Sequence, residues 1–149
     1  MHPLIREEWA GMVAGKSLLL GRGFLCHIYQ GDDEALKGEE LFCPLGMLCK
    51  LGVEWKAIDE PITVTYYEDA LVYKMYDNET GILPSNIVRW AGLSSRTPGV
   101  SPTPKQRRMW GLPRATKSSP TIPLHTLSDT LVVPGVISRQ ELANLIRKL

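Results

Sequence analysis

Phe42-Cys43-Pro44-Leu45-Gly46-Met47-Leu48-Cys49-Lys50-Leu51-Gly52 is the densest apolar run of the chain outside its C-terminus. A proline sits just inside its start, where a missing N–H costs a helix nothing, and Gly52 sits where a helix would be left. Cys43, Leu45, Leu48, Cys49 and Leu51 share one broad face at helical spacing. The run therefore predicts a short buried helix, and the rest of the chain is expected to pack around it.

The flanking segments read in the same way. Residues 3–15 predict an amphipathic helix opened by Pro3, with Ile5, Trp9, Met12 and Val13 on one face and Gly15 at its end. Residues 17–30 favour extended structure, interrupted by Gly21-Arg22-Gly23, and residues 40–43 predict a strand feeding the central helix. Residues 62–67 and 70–76 alternate as two strands, with Glu68-Asp69 as a tight hairpin between them. Leu83-Pro84-Ser85 starts a helix carrying Ile87, Val88 and Trp90 and stopped at Gly92. Ser138-Arg139-Gln140-Glu141 is a capping box in which the Ser138 hydroxyl accepts from the Glu141 amide. Ile137 and Leu142 supply the staple, and Leu142, Leu145, Ile146 and Leu149 the buried stripe. Between these elements, residues 94–123 collect six prolines among serines, threonines and basic residues, so they predict a long loop. The expected fold is α+β in a single domain, 1–149: a small antiparallel sheet packed with short helices, a capped C-terminal helix and an extended Pro-rich basic loop at 101–123.

Composition narrows the function classes. A chain of 149 residues with 44% hydrophobic content can build one core. Its formal net charge of +1 provides no global field for nucleic acid, so an anion site must come from local arginines. No apolar run reaches the roughly 20 residues that span a bilayer. The N-terminus lacks a signal-peptide core, and three cysteines do not make a disulfide framework. These features predict a soluble protein of a reducing cytoplasm.

Chemistry-bearing residues allow competing readings. Cys43 and Cys49 are too far apart for a usual zinc pair, and no second pair accompanies them. Cys43, at a helix N-terminus, could be a nucleophile with His27 or His125 as base and Asp129 orienting His125, or it could be core packing. Gly21-Arg22-Gly23 lacks the lysine of a phosphate loop but can present a guanidinium and backbone amides to a phosphate. Lys105, Arg107, Arg108, Trp110, Arg114 and Lys117 form a basic cluster around an aromatic. Such a cluster is either a solvated loop or a place where an exposed tryptophan stacks a base while arginines hold phosphate.

Four segments carry a resemblance: Phe42 to Cys49; Leu83-Pro84-Ser85-Asn86-Ile87-Val88-Arg89-Trp90-Ala91-Gly92-Leu93; Leu127-Ser128-Asp129; and Ile137 to Arg147. Together they resemble a family of small bacteriophage proteins with a Cys-Cys-Leu-Gly-Val-Leu-Cys-Asp-like core. That family is similar to the phage sponge proteins that counter the Thoeris defence system. The likeness covers most of the chain except 101–123. It implies a non-enzymatic, phage-encoded protein of the infected bacterial cytoplasm, without cofactor or metal. Such a protein sequesters a cyclic ADP-ribose isomer, or a cyclic oligonucleotide of the CBASS system, as a homo-oligomer with a shared pocket. Carried over residue by residue, it implies binding by Ser128, by Trp110 and by Arg139 or Arg147. With the local cations and the adjacent carboxylate, the candidate set is Arg22, Arg108, Trp110, Ser128, Asp129, Arg139 and Arg147. Departures from the pattern are Ser128 for asparagine, Pro44 for cysteine and Lys50 for aspartate. The alternatives are a hydrolase of such signals using His125 and Asp129 or Cys43, and a protein- or DNA-interaction factor acting through the 101–123 loop.

Overall fold

In the computed structural model, which describes residues 1–68 and 70–149, the run at 42–52 forms helix α2 (Pro44–Glu54). Cys43 is its N-cap, with its sulfur accepting from the Gly46 amide at 3.4 Å. Gly52 lies inside the helix, two residues before its end, and not beyond it. The position is small because Ile87 packs onto it: a Cβ at residue 52 would overlap the Ile87 Cδ1 methyl. The helix instead ends through Trp55, with Lys56 in the left-handed region at φ 59°. Gly46 has a stricter reason. A Cβ there would overlap the Leu25 carbonyl, so the backbone leading into the sheet presses directly on the first turn of α2.

Helix α1 (Pro3–Ala14) buries Ile5, Trp9, Ala10 and Val13, while Met12 is only half-buried. Trp9 Nε1 donates to the Pro44 carbonyl at 2.7 Å, so the indole fills the core and also satisfies the start of α2. The sheet contains β1 (Leu19–Leu20), β2 (Cys26–Ile28), β3 (Glu40–Phe42), β4 (Ile62–Tyr66) and β5 (Leu71–Met75) in the order β1-β3-β2-β5-β4. Only the β1–β3 pairing is parallel. The β4–β5 ladder places Val64 opposite Tyr73. The expected tight turn at Glu68-Asp69 falls partly outside the described residues. On its described side, Tyr67 and Glu68 hold left-handed φ values of 53° and 54°.

Helix α3 (Ser85–Ala91) ends at Gly92 with φ 70°, as its sequence predicts. The segment expected to be a loop has structure of its own. Strands β6 (Gly99–Val100) and β7 (Ile122–Pro123) pair antiparallel and enclose helix α4 (Pro104–Met109). Thr103 and Gln106 form a full capping box around Pro104, which takes the first helical position where proline starts a helix rather than breaking one. Helix α5 (Leu124–Leu127) runs straight into a π-helical turn, Ser128–Val132. Helix α6 (Arg139–Ile146) has the Ser138–Glu141 capping box and lies along α1. The fold is α+β, with one core running through α1, α2, α3, α5, α6 and the inner sheet face. Among the described residues no helix is long and apolar enough to cross a membrane.

Candidate functional site

The α4 segment builds a groove of about 320 Å³ lined by Pro102, Pro104, Arg107, Arg108, Leu112, Arg114 and Ala115. Its construction depends on Arg107, which is only 4% exposed. Nη1 donates to the Pro113 carbonyl at 2.9 Å and Nη2 to the Pro120 carbonyl at 3.1 Å, tying the irregular chain after α4 back onto the helix. Arg108 and Arg114 are exposed at the mouth, and among the described residues neither has an acidic partner. The reason is compositional: no Asp or Glu lies between Glu79 and Asp129, whereas seven Lys and Arg residues do. A chain with a net charge of +1 therefore carries a strongly one-sided basic segment. Prolines and Leu112 supply the apolar walls, and two guanidinium forks at the mouth have no acidic partner among the described residues, a chemistry suited to an anion.

Trp110 is not at the groove's surface. It is 8% exposed and is the C-terminal cap of α4, anchoring that helix to the core. The expectation of an exposed stacking face is therefore corrected: an isolated short helix needs a large apolar anchor, and Trp110 serves as one.

A second polar cluster forms where the Gly21-Arg22-Gly23 loop meets the π-helical turn. Ser128 is fully buried, and among the described residues its hydroxyl has no partner; His125 Nδ1 and Asp129 Oδ1 are also buried without one. Burial pushes the Asp129 carboxyl above its usual range, while His125, the Arg22 guanidinium and the Gly23 amide pull against it. Arg22 thus lies near enough to act on the Asp129 charge, without a direct ion pair between the two. Ser128 is closed off from solvent within the turn. The loop is held close because Gly21 sits against His27 and Leu41, where a Cβ would approach His27 Nε2 at 2.7 Å. Burial also lowers the His27 pKa.

Arg139 and Arg147 lie elsewhere, on α6. Arg139 donates from Nε to the Val13 carbonyl at 2.6 Å, from Nη1 to Leu18 at 2.7 Å and from Nη2 to Met12 at 3.2 Å. Its guanidinium caps the C-terminal end of α1, satisfying carbonyls that a helix end leaves open and answering the negative end of its dipole. All three nitrogens are engaged, which corrects the expectation that Arg139 faces a ligand. Arg147 pairs with Glu7 at 3.1 Å and donates to Asn144 at 3.2 Å. The seven candidates thus occupy four places: Arg108 with the α4 groove, Trp110 in the core beneath α4, Arg22 near Ser128 and Asp129, and Arg139 with Arg147 at the α1–α6 seam.

A larger groove of about 760 Å³ opens between the end of α2, residues 56–61 and the β3–β5 side of the sheet. Two of its three lysines are already answered: Lys74 pairs with Glu40 at 2.8 Å, and Lys50 with Glu54 at 3.8 Å. The sequence gives no hint of it, because its walls come from three separated segments, 40–42, 50–61 and 74–76.

The cysteines are protonated core residues. Burial pushes Cys43 up to about 11 and Cys26 to about 12, and raises Cys49 well above the usual thiol value. Among the described residues no group of three or more His, Cys, Asp or Glu side chains could hold a metal.

No curated protein and no solved structure matches the chain. A family model described as a domain of unknown function (DUF8296) matches residues 22–149, from the Arg22 loop through α6, and the chain belongs to that family.

Proposed function

We propose that this protein is a phage-encoded sponge that binds a nucleotide-derived immune signal, a cyclic ADP-ribose isomer or a cyclic oligonucleotide, and withholds it from the host defence without cleaving it. The observation that carries this reading is the α4 groove, with Arg108 and Arg114 unanswered by any described acid over a proline and leucine floor. A volume near 320 Å³ is at the small end of the range for ligand sites and suits one phosphorylated unit, leaving the rest of the signal at the surface. The arginine forks would hold the phosphate in bidentate hydrogen bonds, and Pro102, Pro104 and Leu112 would pack against the sugar or base. Arg107 would keep this surface preformed, which lowers the entropic cost of binding. Sequestration requires slow release rather than stabilisation of a transition state. A cysteine hydrolase has less support, because a Cys43 thiol pushed up to about 11 is almost wholly protonated at neutral pH.

The test is to incubate the protein with cyclic ADP-ribose isomers and cyclic dinucleotides, remove it by heat, and analyse the supernatant by mass spectrometry. Recovery of the intact signal in proportion to protein is the expected result. A cleaved product would establish an enzyme instead. Arg108→Ala and Arg114→Ala should each weaken binding about tenfold, the loss of one charge-assisted hydrogen bond. Undiminished binding in the double variant would remove this groove as the site.

A further inference from the structure

We propose that the larger groove beside the end of α2 binds an aliphatic chain bearing two protonated amines, with Asp59, Glu60 and the Tyr76 hydroxyl holding the ammonium groups and Phe42, Val53 and Ile58 packing on the methylenes. This groove shares no lining residue with the α4 groove, and the proposal stands whether or not that site binds a nucleotide.

The charge of the chain is divided. Residues 31–79 carry twelve Asp and Glu against four Lys and no Arg, a formal charge of −8, whereas residues 80–128 carry no acid. Every residue lining the larger groove belongs to the acidic part. The potential there favours cations, which the overall charge of +1 conceals. Inside the groove, Lys74 is taken up by Glu40 and Lys50 by Glu54. That leaves Asp59 and Glu60, exposed and without an ion pair among the described residues, against Lys56 alone. Two free carboxylates and one free ammonium call for a guest with two positive charges and accommodate one negative.

Tyr76 points to the same space independently. It is only 2% exposed, yet it lines the groove, and among the described residues its hydroxyl has no hydrogen-bond partner. Glu40 and Glu60, both on the groove, act on the phenol, and burial pushes its pKa up, so it stays neutral. A buried hydroxyl without a partner leaves an acceptor unused, and an ammonium supplies the missing donor.

The walls select an organic cation over a metal ion. A volume of about 760 Å³ is that of a small-molecule site. Phe42, Val53 and Ile58 offer it apolar surface, and the Lys50 ammonium already stands 5.9 Å from the Phe42 ring centre, so this wall tolerates a cation. Among the described residues no cluster could ligate a metal. A free polyamine and a basic amino acid share the required chemistry; the second would also offer a carboxylate to Lys56.

The experiment is an NMR titration of the full chain with putrescine, with lysine and with glutamate, at ~0.1 M salt so that distant charges are screened. Putrescine or lysine should saturate, with shifts at the groove, while glutamate should show no saturable binding up to ~10 mM. Asp59→Asn/Glu60→Gln and Tyr76→Phe should each weaken amine binding at least about tenfold. Asp32→Asn/Asp33→Asn, which removes the same charge from an exposed turn outside the groove, should leave it within about twofold. Lys56→Gln separates the two sources: it should tighten putrescine by removing a repulsion and weaken lysine by removing the partner of its carboxylate. The Asp59→Asn/Glu60→Gln pair lies at the surface and tests the groove without disturbing the core. No saturable binding of either amine would overturn the proposal. So would equal weakening by the two acid-to-amide pairs, or undiminished binding in Tyr76→Phe.

Discussion

Arg139 and Arg108 bear the same guanidinium and are used in opposite ways. At the α1–α6 seam, Arg139 places every nitrogen on a backbone carbonyl within 3.2 Å, and the charge is consumed in closing a helix end. On α4, Arg108 stands exposed in a segment without carboxylates. The difference shows that a basic residue in this chain cannot be assigned a role from its type or its neighbours in sequence. What decides is whether open carbonyls are within reach, and the end of α1 together with Leu18 supplies those to Arg139 from more than 120 positions away. Residues 1–18, which provide those carbonyls, precede the segment matched by the family at 22–149.

The contrast can be broken or sharpened by experiment, starting with the largest effect. Gly46→Ala should prevent folding or cost more than about 4 kcal/mol, because the added methyl meets the rigid Leu25 carbonyl, and circular dichroism would show this. Near-normal stability there would mean that the sheet and α2 are not locked together by backbone contact. Arg139→Met should cost about 3 kcal/mol in denaturant unfolding by leaving three carbonyls unanswered. Arg139→Lys should recover little of this, since an ammonium cannot span the three acceptors.

Alkali should act on the core next. Cys26 and Cys43 keep their protons in the fold to about 12 and 11, above the ordinary value of 9.0. Between those limits the folded state holds more protons than the unfolded chain, so stability is complete below pH 9 and falls as pH rises. The slope should approach about 1.4 kcal/mol per pH unit for each thiol. Denaturant midpoints flat from pH 8 to 10.5 would contradict the burial of these groups. Smallest of all, Arg108→Ala should leave stability within about 0.5 kcal/mol of wild type. A large loss of stability would show that Arg108 is structural in the manner of Arg139, and would undo the comparison.

Locally coded elements were legible. The Ser138–Glu141 box, the glycine stop at Gly92 and the proline start of α2 each rest on interactions within a few residues, so the sequence announces them. Helix α4 obeys the same capping rule through Thr103 and Gln106, but the surrounding prolines disguise it. The basic groove had a readable signal in the stretch without acids from 80 to 128, which composition averaged over the whole chain conceals. The burial of Trp110, the closure of Ser128 within a π-helical turn and the larger groove beside α2 had no such signal, because each depends on segments distant in the chain.

By itself the sequence determined the α+β class, the helix ends and a local excess of positive charge, since periodicity, capping chemistry and charge reside in neighbouring residues. Only the tertiary structure decided which arginines remain free to meet a ligand. A guanidinium is satisfied by whatever acceptors the fold brings to it, and those come from residues far away in the chain.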